Sequence, residues 1–372
     1  MLSHLGWHDI QIIGEAGDCG GDILAVDRKG KTWVIQAKSV TGDRLVGPKA
    51  IQEALNAASV YEADALAVAT NGDFTQSTMI RRDELIADGF ETRLWNNAWF
   101  EAVYAKLPDR SYGYKEPLDH QKGVIDKLKA AYLDGRSRAL FVMATGLGKT
   151  VTAATAASFF WEQGARNILV LCHLRDLALQ LEQSFWTQIP KEAPTSCFFE
   201  GETPSTQEGI TFGLYQTLRG WLPGIDSNAY DVIIVDEAHH ALSIGFASCL
   251  HYLKPKMLVG MTATPWRGDG QSLTTLFGEP LETISLVDGM KLGFLAKVDY
   301  RVFCDNIDWD NMQSISQKSL TIRDLNKRLF LPQRDDAVIE SLLKVVEEVP
   351  NPRIAIFSPS IEHSHLFAEM LT

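Results

Sequence analysis

Arg138-Ala-Leu-Phe-Val-Met143, then Ala144-Thr145-Gly146-Leu147-Gly148-Lys149-Thr150, then an Ala-rich stretch, decide the fold of this chain. The apolar run reads as a buried strand and the alanines after the glycines as a helix. A Gly-rich loop in that setting suits a phosphate. Backbone N–H groups and the positive end of the helix face the anion, and glycines admit its close approach. Thr145, Gly146 and Gly148 supply the cradle, Lys149 reaches the terminal phosphates of ATP, and Thr150 ligates Mg2+. Met143 stands where the GxxxxGK[ST] spacing has its first glycine.

Outward from this loop the pattern alternates. Helix (His120 to Leu133), strand RALFVM, helix, strand NILVLC, helix, a strand near Ile210, strand VIIVD, helix and strand MLVGMTA imply a parallel sheet with helical crossovers. Asp231-Val-Ile-Ile-Val-Asp236-Glu237-Ala238-His239 delivers two carboxylates to a strand's C-terminal end, where such sheets place their ligands. Asp236 is expected to hold the magnesium and Glu237 to orient or deprotonate the attacking water. Four apolar residues before an acidic loop are common on their own; the phosphate loop upstream makes them informative.

Taken together these motifs resemble the superfamily 2 helicases of the DEAH-box type, over roughly residues 112 to 372. Tyr114 to Gln121 resembles the adenine-reading motif, with Gln121 as base contact. LVLCHLRDLALQ resembles motif Ia, with Arg175 contacting a phosphate of the nucleic acid. TFGLYQTL resembles motif Ib, although Leu214 replaces the usual threonine. Met261 to Arg267 resembles motif III, in which Thr262 and Thr264 link the ATP site to the nucleic-acid path, and His239 couples the lobes. IAIFSPSIEHS resembles motif IV. The resemblance implies two RecA-like lobes with ATP between them. The chain ends before motifs V and VI, which predicts a fragment able to bind nucleotide but weak in hydrolysis by itself.

A second chemistry is expected near the N-terminus. IQII, ILAVD and TWVIQAK read as strands joined by turns, with a helix over Ala50 to Tyr61, strand ALAVAT and a helix over Arg81 to Ala87. Cleavage of a phosphodiester with a divalent metal needs acidic ligands and a cation on adjacent strands. Asp22, Gln36 and Lys38 meet that need across a hairpin: Asp22 as metal ligand, Gln36 and the Ala37 carbonyl completing the shell, and Lys38 placing the water or stabilising charge. LGWHDIQIIGEAGDCGGDILAV, VIQAKSV and AIQEALNAASVYEADALAVATNGDF resemble the Mrr-type restriction endonuclease domain, over residues 2 to 105. Gln36 replaces the Glu of the broader PD-(D/E)xK pattern, as is usual in the Mrr branch.

The expected class is therefore α/β: a small restriction-endonuclease-like domain (1–107), a linker (108–117), a RecA-like lobe (118–285), and a connection with the start of a second lobe (286–372). The implied function is an ATP-dependent DNA helicase or translocase with a fused Mg2+-dependent endonuclease, acting on double-stranded DNA in restriction or anti-phage defence with possible further subunits. An inactive N-terminal binding module and a nucleotide-regulated scaffold subunit remain open as alternatives.

The 372 residues carry a formal net charge of -12, so any DNA contact belongs to a local groove and not to the whole-protein field. Cys19, Cys172, Cys197, Cys249 and Cys304 show no metal-ligand spacing and fit a reducing cytoplasm. No apolar run reaches the roughly 18 residues of a membrane span. His240, His173 and His363 read as ordinary polar or core residues. Trp33, Trp95 and Trp99 read as core of the small domain, and Trp266 as near the nucleic-acid path. The charges at 324–328 and Glu347-Glu348 read as solvated helix faces.

Overall fold

Three short strands near the N-terminus make an antiparallel meander: β1 (His8–Ile12), β2 (Ile23–Val26) and β3 (Thr32–Lys38). Ile23 faces Ile35 and Val26 faces Thr32. The turn between β2 and β3 is tight because Asp27 Oδ1 accepts from both Lys29 N and Lys31 N, with Gly30 at φ 80°. The chain continues through β4 (Leu45–Val46), α1 (Lys49–Val60), β5 (Ala65–Thr70), β6 (Asp73–Phe74), α2 (Gln76–Ala87), β7 (Glu91–Trp95) and α3 (Asn97–Tyr104). Sheet order β1-β2-β3-β5-β7 is antiparallel in its first half and parallel in its second.

Alternation assigns the two faces of this sheet. Val34, Leu66 and Val68 belong to clusters with α1 residues such as Ile51, Ala54 and Ala57. Trp33, Ile35, Ala65, Ala67 and Trp95 form the opposite face, where the Trp95 and Trp99 rings stack at 4.7 Å.

In the computed structural model, residues 1–13, 20–199, 208–265, 272–298, 332–349, 351–358 and 360–371 are described. Residues 14–19 of the first Gly-rich turn, Trp266 and Arg267 of the motif III stretch, Cys304 and the charges at 324–328 lie outside them. The next elements are α4 (Asp119–Leu133), β8 (Arg138–Met143), α5 (Lys149–Glu162), β9 (Asn167–Cys172), α6 (Arg175–Phe185), β10 (Thr195–Phe198), β11 (Gly209–Leu214), α7 (Tyr215–Trp221), β12 (Val232–Val235), α8 (Ile244–Tyr252), β13 (Met257–Thr262), α9 (Thr274–Phe277), β14 (Pro280–Ile284) and α10 (Leu286–Lys291). Their seven strands run in the order β10-β11-β9-β12-β13-β8-β14, and every neighbouring pair is parallel.

This sheet is apolar on both faces, as a parallel sheet covered by helices must be. Phe141, Val170, Ile234 and Val259 share one core with Val124 and Leu128 of α4, Phe160 of α5 and Phe185 of α6. Leu140, Leu169, Ile233 and Leu258 share the other with Leu218 of α7, Phe246 of α8 and Phe277 of α9. The architecture is the α/β class expected, with a seven-stranded parallel sheet following a small mixed sheet.

The small sheet and the large one belong to one compact unit, residues 1–297. Ser3 Oγ and Ser111 Oγ lie 2.7 Å apart and buried, and Ser111 Oγ donates to Ser3 O at 3.0 Å. Lys191 Nζ donates to Leu107 O at 2.8 Å, and Gly113 lies against Thr187. The Arg28 guanidinium covers the Tyr112 ring at 3.6 Å.

Residues 298–372 form a second unit, in which α11 (Pro332–Glu348) and α12 (Ile361–Leu371) are joined by a hydrogen bond between His363 Nε2 and Asp335. The strand expected over RIAIFS is corrected: residues 353–358 belong to no strand, and Phe357 is 95% exposed. Its alternating apolar side chains suit a strand, but a ladder needs a neighbour for the backbone N–H and C=O groups. No described helix is long and apolar enough to cross a membrane.

Candidate functional site

The C-terminal ends of β8, β9, β12 and β13 lie along one edge of the large sheet, which is where parallel α/β sheets bind ligands. After β8 the loop turns through Gly146 at φ 88° and Gly148 at φ 81°, left-handed conformations that glycine adopts without strain. A side chain at Gly148 would run into the Gln121 amide, and one at Gly146 would stand 3.0 Å from Leu295 Cδ2. The cradle is therefore small and made of backbone, as a phosphate site requires. Met143 is fully buried, takes a 3.7 Å contact from Thr152 Oγ1 on its sulfur, and accepts from Lys149 Nζ on its carbonyl at 3.3 Å. It closes the strand, so no glycine is needed there. Thr150 lies in the first turn of α5, beside Lys149.

Gln121 joins the start of α4 to this loop. Its Oε1 accepts from Leu118 N at 2.9 Å and its Nε2 donates to Leu147 O at 2.9 Å. His120 Nε2 also reaches Leu147 O, at 2.9 Å, and the Phe294 ring packs on His120 at 4.1 Å. Phe294 and Leu295 follow α10, and their approach to the loop is not legible in the sequence.

Asp236 follows β12 and is anchored by its own N–H, which donates to Leu171 O at 2.8 Å. Burial, with the Glu237 charge beside it, pushes the Asp236 carboxyl up to about 6. Glu237 adopts φ 44°, a left-handed conformation that costs a non-glycine residue about 1 kcal/mol or more.

His239 ties these carboxyls to the next strand end. Its Nδ1 lies 3.3 Å from Glu237 Oε2 and 3.0 Å from Thr262 Oγ1. Thr262 Oγ1 itself donates to Thr264 O at 3.1 Å and accepts from Thr264 N at 3.1 Å. With its hydroxyl proton directed at Thr264 O, the threonine accepts from His239, which assigns the proton to Nδ1. Arg175 opens α6 at the end of β9, its guanidinium 5.5 Å over the Phe199 ring.

The second site lies in the small domain. Asp22 N donates to Ile35 O at 3.0 Å, which puts Asp22 opposite Gln36 across the hairpin. Its Oδ2 accepts from Ala37 N at 2.6 Å and from Gln36 Nε2. Gln36 is 4% exposed, and its Oε1 is buried without a hydrogen-bond partner. The Asp22 contact fixes the amide orientation, since a flip would set oxygen against carboxylate. An unpaired buried oxygen beside a carboxylate is a donor set suited to a hard divalent cation. Among the described residues no group of three or more His, Cys, Asp or Glu side chains is gathered for a metal, so amide and backbone oxygens would have to complete the shell. The structure thus brings Asp22, Gln36 and the Ala37 backbone together. Lys38 turns to Glu53 of α1, at 2.7 Å, a partner the sequence did not suggest.

Two family models match the chain. Residues 114–267 match the type III restriction enzyme res subunit, and residues 1–96 match the Mrr-type restriction endonuclease model. The chain is thus similar to a restriction endonuclease of the Mrr type over residues 1–96 and to a type III restriction enzyme res subunit over residues 114–267. It is 27% identical over 343 residues to the type I restriction enzyme EcoAI endonuclease subunit of Escherichia coli, covering 80% of this chain and 41% of that subunit. It is 28% identical over 265 residues to the general transcription and DNA repair factor IIH helicase/translocase subunit XPB of Dictyostelium discoideum, covering 66% of this chain and 32% of that protein. The chain thus spans less than half the length of either. Among solved structures, the ATP-dependent Type ISP restriction-modification enzyme LlaBIII bound to DNA matches with a TM-score of 0.44 and 15% identity, covering 92% of this chain and 26% of that one.

Proposed function

We propose that this chain is the ATP-driven DNA helicase or translocase part of a restriction or defence enzyme, with a fused Mg2+-dependent endonuclease acting on double-stranded DNA in the cytoplasm. Its functional parts divide as nuclease (1–107), linker (108–117), nucleotide-binding lobe (118–285) and the start of a second lobe (286–372). The observation that carries the reading is the shared strand edge where the Gly146–Gly148 cradle, Asp236, Glu237 and the His239–Thr262 link meet.

At that edge Lys149 exchanges its hold on the Met143 carbonyl for the terminal phosphates, while Thr150 and Asp236 would hold a magnesium ion, which would supply neutralisation of phosphate charge. Glu237 orients the attacking water and takes its proton. His239 transmits the position of Glu237 to Thr262 and Thr264, next to the nucleic-acid path, where Arg175 contacts a phosphate. Gln121 holds the loop by Leu147 and reads the base from the same position.

In the small domain Asp22, the Gln36 Oε1 and the Ala37 carbonyl would hold a second metal, which would supply polarisation of the phosphodiester. Lys38 orients the water or stabilises developing charge. Kinship with a restriction endonuclease subunit supports DNA over RNA as substrate and leaves room for further restriction subunits as partners.

The test is cleavage of plasmid DNA with Mg2+, with and without ATP, in the wild-type protein and in its Lys38→Ala and Lys149→Ala variants. Loss of cutting with Lys38→Ala, and loss of only the ATP dependence with Lys149→Ala, is the expected result. Equal behaviour of all three proteins would leave the small domain a binding module.

A further inference from the structure

We propose that Glu53 is a positioning residue of the small-domain site, holding the Lys38 ammonium at the edge where Asp22 and Gln36 meet; this rests on the endonuclease reading of that site. Gln36 and Lys38 are two residues apart on β3 and share the face covered by α1. Along α1, Ala50, Ile51, Ala54, Ala57 and Ala58 are buried. Glu53 is three residues beyond Ala50 and four before Ala57, on the flank of that apolar stripe. Its side chain is 28% exposed, and its Oε2 lies 2.7 Å from Lys38 Nζ.

Glu53 also shapes the approach to Asp22. Gly20, at φ 93°, passes so close to α1 that a side chain there would stand 2.8 Å from Glu53 Cβ. Gly20, two residues before Asp22, is therefore pressed against the same glutamate that engages Lys38. Lys49 Nζ, at 3.8 Å from Glu53 Oε1 and 89% exposed, is a looser partner. The independent sign that this corner is built for a ligand is the Gln36 Oε1, buried and unpaired beside the Asp22 carboxylate. A long lysine side chain has many rotamers, and a catalytic cation displaced by about 1 Å loses on the order of 100-fold in rate.

The experiment compares wild type, Lys38→Ala, Asp22→Ala, Glu53→Gln and the Lys38→Ala/Glu53→Gln double variant. Glu53→Gln keeps the stem that packs on Gly20 and removes the charge. Three readouts are taken: kcat and KM for Mg2+-dependent plasmid cleavage, Mn2+ binding by electron paramagnetic resonance without DNA, and the thermal midpoint. Glu53→Gln is expected to lower kcat about 10- to 100-fold at unchanged KM and unchanged Mn2+ binding. The double variant should match Lys38→Ala in both lost cutting and retained Mn2+ binding, because one residue acts through the other.

Wild-type kcat in Glu53→Gln, with Lys38→Ala inactive, overturns the proposal and spares the endonuclease reading. So does Mn2+ binding weakened as much as in Asp22→Ala, which would make Glu53 a ligand, or Mn2+ binding lost in the double variant but kept in Lys38→Ala. A wild-type protein that neither binds Mn2+ nor cuts removes the endonuclease reading, and the role of Glu53 with it.

Discussion

The nucleotide site draws its side chains from the ends of four parallel strands, whereas the small-domain site draws them from an antiparallel hairpin and a helix folded back over it. A parallel sheet places every C-terminal strand end on one edge, so loops far apart in sequence converge without any special turn. An antiparallel pair instead sets single residues face to face, as Asp22 and Gln36 are, and leaves the third contributor to whatever packs on the sheet. The first arrangement gathers many groups on one edge. The second fixes a few at short range.

Three perturbations sharpen this contrast. The largest effect is expected from Asp22→Ala, which removes one acceptor that orders both the Gln36 amide and the Ala37 N–H. On the proposed function, loss of this carboxylate with its network should lower cutting by several kcal/mol, on the order of 1,000-fold. DNA-stimulated ATP turnover should hold within about twofold. A parallel fall in turnover would mean that the two sites are not separate.

The next effect is a pH dependence confined to the nucleotide site. Burial, aided by Glu237, raises the Asp236 carboxyl from its ordinary 3.8 to about 6. Between these values the folded chain keeps a proton that the unfolded chain has released, so the group favours folding below 3.8 and that contribution is lost as pH rises through about 6. Metal binding runs the other way, because it needs the carboxylate. Affinity for Mg2+-nucleotide, measured by calorimetry, should fall up to about tenfold per unit as pH drops below 6. A flat profile between pH 5 and 7 would exclude Asp236 as the metal-holding group.

The smallest effect is expected from His239→Ala. It should leave nucleotide affinity unchanged and reduce the stimulation of ATP turnover by DNA, by about 1–2 kcal/mol or roughly 10-fold, because it removes a hydrogen bond to Thr262 and the approach to the Glu237 carboxylate. Equal loss with and without DNA would assign the histidine to the hydrolysis step alone.

Much of this was legible in the sequence because local signals agreed with the global fold. The run Arg138 to Met143, the glycines after it and the Asp236-Glu237 pair each mark a strand end, and the pairing of Asp22 with Gln36 follows from a short turn between alternating strands. Glu53 was not legible, since helical phase puts it on a flank but does not say which strand that flank meets. Nor was the packing of Phe294 and Leu295 on the phosphate loop, because nothing local announces that α10 turns back toward it. RIAIFS shows the converse failure. Its alternation is strand-like, yet pairing is a property of two segments and cannot be read from one.

The segment 108–117, polar and turn-rich, would as a free tether let its ends wander about 18 Å apart. Here it is folded into the structure: Ser111 is buried on Ser3, Tyr112 lies under Arg28, and Lys191 holds Leu107. On the proposed function, the cutting corner and the nucleotide edge then keep a constant spacing along the DNA. Breaks would fall at a single measured offset from the nucleotide-binding lobe, and the protein would act as a ruler as much as a blade.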